Sequence, residues 1–219
     1  MNKQAKNFGS DLKIIVVGNS GTGKTSFVNK WTKNQFSDTY KATIVSEFGY
    51  KIFEKDGKFY RIQLWDLAGQ DKNTAITRIF CKDSHGAVVL SDITDNKSLQ
   101  ETINWKKSID ESTKFKDGSD LPMILIQNKL DLIENIEEYD VSNKTMIDNV
   151  YENNNFIKVV KTSAKLGINI NESMDSLITY IIDKLNSIKE DKDHNKYKDS
   201  IILSRDDKNN IYTKKSGCC

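Results

Sequence analysis

Ile14-Ile15-Val16-Val17-Gly18-Asn19-Ser20-Gly21-Thr22-Gly23-Lys24-Thr25 is the stretch whose reading decides the fold. Four consecutive β-branched residues predict a strand buried on both faces, because a half-buried strand alternates apolar and polar positions. The Gly-rich turn that follows leads into Phe27, Val28 and Trp31, whose spacing gives a helix one apolar face. Strand, Gly-rich loop ending in Lys-Thr, and helix, in that order, make a phosphate-binding loop. Its glycines let successive backbone N–H groups turn toward one point, and the helix N-terminus adds positive potential. Lys24 reaches the terminal phosphates and Thr25 supplies a hydroxyl ligand for Mg²⁺. Ser20, Gly21, Thr22, Gly23, Lys24, Thr25 and Ser26 are therefore the candidate phosphate-site residues.

Three more apolar runs predict further central strands: Ala87-Val88-Val89-Leu90, Met123-Ile124-Leu125-Ile126 and, interrupted by one lysine, Phe156-Ile157-Lys158-Val159-Val160. Between residues 47 and 66 the pattern changes. Phe48, Tyr50 and Ile52 alternate with polar neighbours, Asp56-Gly57 follows, and Tyr60, Ile62 and Leu64 alternate again, which predicts a hairpin on a type I′ turn. Met174, Leu177, Ile178, Ile181, Ile182 and Leu185 predict a helix covering the sheet, with Asn169 or Asn171 as its cap. The expected fold class is α/β: a three-layer, doubly wound, mostly parallel sheet with one antiparallel edge hairpin, binding its ligand at the carboxyl ends of the strands.

Each remaining motif falls at such an end. Asp66-Leu67-Ala68-Gly69-Gln70 closes the hairpin, so Asp66 points into the phosphate site and holds Mg²⁺ through water. Gly69 offers its N–H to a γ-phosphate, and Gln70 is placed to orient an attacking water. Asn128-Lys129-Leu130-Asp131 and Ser163-Ala164-Lys165 follow two other strands and together select a base. The Asp131 carboxylate matches the paired donors N1–H and 2-amino of guanine, while Asn128 and the Ala164 N–H address N7 and O6. Adenine has no matching donor pair and would leave a buried carboxylate unpaired.

Read in this order, the motifs resemble those of the Ras superfamily of small GTPases from about Leu12 to Leu185. Tyr40-Lys41-Ala42-Thr43-Ile44 with Glu47-Phe48, Leu64-Trp65-Asp66 and the terminal Cys218-Cys219 are similar to the Rab branch. The segment from Trp105 to Leu132, with its long loop, resembles the Rab subgroup serving lysosome-related organelles. The resemblance implies a GTP-binding domain over residues 10–185 and a flexible tail over 186–219 ending in a prenylation site. It puts Phe36 against the guanine edge, adds Tyr40 to the nucleotide contacts, and places Thr43 on Mg²⁺ and the γ-phosphate. It makes Phe48, Trp65 and Phe80 the aromatic surface that effectors recognise. It also implies an exchange factor, an activating protein and a prenyl-shielding carrier, with the protein on the cytoplasmic face of endolysosomal or related membranes and cycling with the cytosol. Val45-Ser46, Asp71-Lys72-Asn73 and Cys81 depart from the usual Rab residues, which bears on partner choice and not on the nucleotide.

Composition agrees. Lys+Arg 33 against Asp+Glu 31 leaves a net charge of +2, too little for a nucleic-acid partner, and the tail's lysines are nearly balanced by acids. Three cysteines, two of them terminal, exclude a disulfide framework. A phosphate-loop kinase or ATPase lacks the guanine-reading pair, and the alternative is a pseudo-GTPase that holds nucleotide with little turnover, made the lesser reading by Thr25, Thr43, Asp66 and Gln70 standing together. The polar residues from Asn186 onward cannot bury enough apolar surface to order themselves. His85 and Cys81 are expected to be structural.

A single modest lipid chain anchors only reversibly, so stable membrane binding takes a second signal. Lys214 and Lys215 are the only bases beside the cysteines, which leaves a second lipid on Cys218 and Cys219. Intact mass of the protein from cells should show two prenyl additions, and replacing both cysteines with serine should leave it cytosolic with nucleotide binding unaltered. Membrane association persisting in that variant would contradict the anchor.

Overall fold

Ile14 to Val17, Ala87 to Leu90 and Ile124 to Ile126 are fully buried, and each run lies at the heart of one sheet. The computed structural model describes residues 8–39, 43, 47–69, 75–152 and 154–209. Residues up to Ile181 form one unit and those from Ile182 a second. The strands are β1 (Phe8–Gly18), β2 (Glu47–Lys55), β3 (Lys58–Asp66), β4 (Gly86–Asp92), β5 (Met123–Asn128) and β6 (Lys158–Lys161), in the order β2-β3-β1-β4-β5-β6. Among the described strands only the β2–β3 pair is antiparallel. Between the strands stand α1 (Lys24–Lys33), α2 (Ala75–Cys81), α3 (Asn96–Ser112), a short 3₁₀ turn (Leu130–Leu132) and α4 (Ile136–Glu152), and α5 (Ile170–Asn209) follows β6.

The hairpin shows how three layers arise. Asp56 and Gly57 both take positive φ, 51° and 69°, as a type I′ turn requires, and Lys55 pairs with Lys58 across it. On one face Gly49 leaves room for α1: a Cβ there would lie 3.1 Å from Thr32 and 3.4 Å from Val28. On that same face the Lys51 ammonium donates to the Trp31 carbonyl at 3.3 Å and to Asn171 Oδ1 at 3.4 Å, which brings in the start of α5. On the opposite face Phe48 meets Trp65, and Trp65 meets Phe80 of α2. Helices therefore cover both faces of a mostly parallel sheet, as expected.

The alternation left open which face of β2 is covered, and its apolar stripe faces outward: Phe48, Tyr50 and Ile52 are 51%, 58% and 43% exposed, and Gly49 and Lys51 take the helix-covered side. Other local expectations are corrected. The last strand begins at Lys158 rather than Phe156, because Asn155 adopts the left-handed region at φ 52° and turns the chain first, and it forms an edge of the sheet beside β5 rather than a central strand. Helix α5 does not stop near Leu185 but continues to Asn209; no Gly or Pro stands between Gly167 and Gly217 to end it. Asn169 does precede that helix, and its side-chain amide donates to the Lys161 carbonyl at 2.8 Å.

His85 fastens β4 to β1. Its backbone N–H donates to the Lys13 carbonyl at 2.7 Å, and the Lys13 N–H donates back to His85 Nδ1 at 3.2 Å. Accepting that bond requires a neutral ring. Burial pushes the imidazole down to about 4, with Lys116 and Lys13 adding to the shift and Asp83 opposing it. Burial also pushes the Cys81 thiol up to about 11, so it stays protonated and unreactive at neutral pH.

A histidine neutral in the fold and protonated near its ordinary 6.5 when unfolded makes the unfolded chain bind more protons in between. Its contribution is complete above pH 6.5 and declines as pH falls toward 4. Melting temperature should accordingly drop between pH 6.5 and 5, and His85→Gln should flatten that part of the profile. An identical slope in the variant would contradict the assignment.

Candidate functional site

A cleft of about 1120 Å³ opens where β1, β3, β5 and β6 end, lined by residues of the phosphate loop, Phe36, Thr43, Gly69, Asn128, Lys129, Asp131, Ala164 and Lys165. The loop is shaped by close approach. Gly18, at φ 144°, has no space for a Cβ, which would meet the Leu90 carbonyl oxygen at 2.2 Å. Gly23, at φ 88°, would carry a Cβ 2.4 Å from the Asn128 amide nitrogen. Within this curve Lys24 is buried, and its ammonium donates to the carbonyls of Gly18 and Asn19, both at 2.9 Å. Burial pulls Lys24 down to about 8, against the opposing charge of Asp66. A further anion in the cleft stabilises the charged form and reverses that shift.

Three oxygens expected to share a metal ion meet at this end. The Thr25 hydroxyl donates to Asp66 Oδ2 at 2.5 Å and lies 2.8 Å from the Thr43 hydroxyl. They come from the first turn of α1, the end of β3 and an otherwise distant loop. Two hydroxyls and one carboxylate form a hard oxygen set, the chemistry that Mg²⁺ takes.

At the other end of the cleft Ser163 donates its hydroxyl to Asp131 Oδ1 at 2.5 Å, and Ser163 Oγ in turn accepts the Leu166 N–H at 3.0 Å. Lys129, in the left-handed region at φ 69°, extends its ammonium to Asp92 Oδ2 at 2.6 Å. Burial pulls the Asp92 carboxyl up, but hydrogen bonds from Lys129 and Thr94 outweigh it and hold Asp92 below the usual range. Lys165 pairs loosely with Asp38 at 3.6 Å, across exposed surface.

Asn128 has work that the sequence reading missed. Its Oδ1 accepts from the Thr162 hydroxyl and the Ala164 N–H, each at 3.1 Å, and its Nδ2 donates to the Thr22 carbonyl at 3.0 Å. The Ala164 N–H, expected to face the base, is thus directed at Asn128 here. Asp92 was also missed; both roles depend on partners tens of residues away, where no local pattern points.

The Ras family model matches residues 13–183. Similar proteins include Ras-related protein Rab-7L1 of Homo sapiens, 34% identical over 76% of this chain and 80% of its own length. Ras-related protein Rab-32A of Dictyostelium discoideum is 35% identical over 78% of this chain and 77% of its own, and human Rab-32 is 32% identical over 78% and 75%. The chain belongs to the Ras family, in its Rab branch. This Rab is a small GTPase, related to Rab-7L1 and Rab-32.

Outside the cleft, the Rab's Phe48, Trp65 and Phe80 form one aromatic cluster, with ring centroids 5.5 Å apart for Phe48 and Trp65 and 5.7 Å for Trp65 and Phe80. The Lys13 ammonium lies 5.1 Å from the Trp65 ring centroid. Gln70, Tyr40, Val45-Ser46, Asp71-Lys72-Asn73, Cys218 and Cys219 lie outside the described residues.

Asp131→Asn exchanges a double acceptor for a side chain that presents one donor and one acceptor, which suits xanthine and not guanine. GDP affinity should fall on the order of 10⁴-fold while xanthosine diphosphate gains, as competition against labelled GDP would show. Displacement of GDP by ATP at comparable concentration from the unmodified Rab would contradict the assignment of the base site.

Proposed function

We propose that this Rab is a GTP/GDP-cycling switch that recruits effectors to intracellular membranes for vesicle trafficking. In this reading GTP binds with its phosphates on Ser20 to Ser26 and its base among Asn128, Lys129, Asp131, Ser163, Ala164 and Lys165, with Phe36 and Tyr40 completing the contacts. Thr25, Thr43 and Asp66 would hold Mg²⁺, which would supply charge neutralisation for the phosphates. Gln70 orients the attacking water. The GTP state holds the Thr43 and Gly69 loops in place, hydrolysis releases them, and effectors distinguish the two states at Phe48, Trp65 and Phe80.

The observation that supports this best is the hydroxyl of Thr43 lying 2.8 Å from that of Thr25, which ties the loop ahead of β2 to the phosphate site. No arginine precedes Arg61 in the sequence, so charge developing at the transferred phosphoryl finds no guanidinium from the loop carrying Thr43. Intrinsic turnover should be slow, on the order of 10⁻⁴ to 10⁻³ s⁻¹, until an activating protein supplies the missing group. An exchange factor reloads the switch.

Among the described residues no helix is long and apolar enough to cross a membrane. Attachment to the cytoplasmic face of endolysosomal or related membranes falls, in this proposal, to prenyl groups on Cys218 and Cys219 at the end of a tail over residues 186–219, with a soluble carrier shielding the lipids during transfer. The likeness to Rab-7L1 and Rab-32 supports peripheral attachment to a membrane, and the choice of membrane rests on the resemblance of the segment from Trp105 to Leu132.

Gln70→Leu should slow single-turnover hydrolysis while retaining GTP, and Thr25→Asn should weaken Mg²⁺-dependent GTP binding and favour the inactive form. In cells the two should act in opposite directions on membrane residence. A single-turnover rate unchanged by Gln70→Leu would mean that another group orients the water.

A further inference from the structure

Trp105 is almost wholly buried on α3, far in sequence from the phosphate loop, yet its indole N–H donates to Asn19 Oδ1 at 3.1 Å. Asn19 is the residue through which the loop is braced. Its backbone carbonyl accepts the Lys24 ammonium at 2.9 Å, the Thr22 hydroxyl at 2.9 Å and the Thr22 N–H at 3.4 Å. That carbonyl shares a planar trans peptide with the N–H of Ser20, so the two point in opposite directions and turn as one body. A carbonyl held toward Lys24 and Thr22 therefore aims the Ser20 N–H away from them. The Ser20 nitrogen lies beside Gly69, close enough that a Cβ on Gly69 would come within 2.4 Å of it.

We infer that Trp105 is a positioning residue for the terminal phosphate: by holding the Asn19 side chain it fixes the Asn19–Ser20 peptide, against which Gly69 packs so closely that a Cβ there would meet the Asn19 carbonyl carbon at 2.6 Å. This rests on the proposed function, which puts the γ-phosphate next to Gly69. Neither Trp105 nor Asn19 needs to touch the nucleotide. Because the peptide in question faces the γ-phosphate side, loss of the bond affects a triphosphate more than a diphosphate. Packing of the indole contributes to stability as well, but that contribution is indifferent to which nucleotide is bound.

The test measures release of labelled GDP and of a non-hydrolysable GTP analogue from the full chain, as wild type, Trp105→Phe, Asn19→Ala and the double variant, with Mg²⁺ present. Each single variant should release the analogue roughly three- to tenfold faster, the range expected for one hydrogen bond, with GDP release changed less. The double variant should be no faster than the faster single one, since both remove the same bond. Equal acceleration for both nucleotides, or effects that multiply in the double variant, would overturn the inference and leave Trp105 a packing residue. If Trp105→Phe does not fold, Asn19→Ala decides alone: it must show the loss of triphosphate preference, and its absence is fatal. Wild-type protein that binds neither nucleotide would instead sink the underlying reading of the site, and this assignment with it.

Discussion

The side chain of Asn128 joins what would otherwise be separate loops. One buried amide accepts from Thr162 and Ala164 beyond β6 and donates to Thr22 in the phosphate loop. The phosphate-binding and base-binding ends of the cleft are thereby held at a fixed separation, and a nucleotide is a ligand of fixed length. Gly23 has to be glycine for that amide to approach so closely. A buried donor or acceptor stripped of its partner costs about 1–3 kcal/mol, so the three bonds stand or fall together.

Around this brace the cleft concentrates groups that are costly to bury by themselves. Lys24 and Asp66 are both buried, and Thr25 and Thr43 present hydroxyls to the same place. Burial shifts Lys24 down toward neutrality, while Asp66 opposes the change. Phosphate and a divalent cation are the ligands that turn such an arrangement from a cost into a gain, and anything binding the folded state alone raises its stability in proportion to occupancy.

The parts of the molecule written in contiguous residues were legible in the sequence. The runs at Ile14, Ala87 and Met123 could only be buried strands, and the loop from Gly18 to Thr25 could only sit between a strand and a helix. Asp131 and Ser163 each follow a strand, which the sequence pattern shows, while the hydrogen bond that joins them is seen only in the fold. What alternation could not reveal is which face of β2 is covered, since Gly49 and Lys51 are poor advertisements for a packed side. Nor did composition foresee α5 running past Leu185, because a polar stretch without Gly or Pro is still able to form a helix. The bonds of Trp105 to Asn19 and of Lys129 to Asp92 join segments far apart in the chain and became visible only once folded.

Native mass spectrometry of the purified full-length chain tests the account most directly. The predicted result is one guanine nucleotide per chain together with one Mg²⁺, both lost after EDTA treatment and restored by GDP and Mg²⁺ but not by ADP. A chain that carries an adenine nucleotide, or that retains guanine nucleotide equally well when Thr25 and Asp66 are both replaced by alanine, would contradict it.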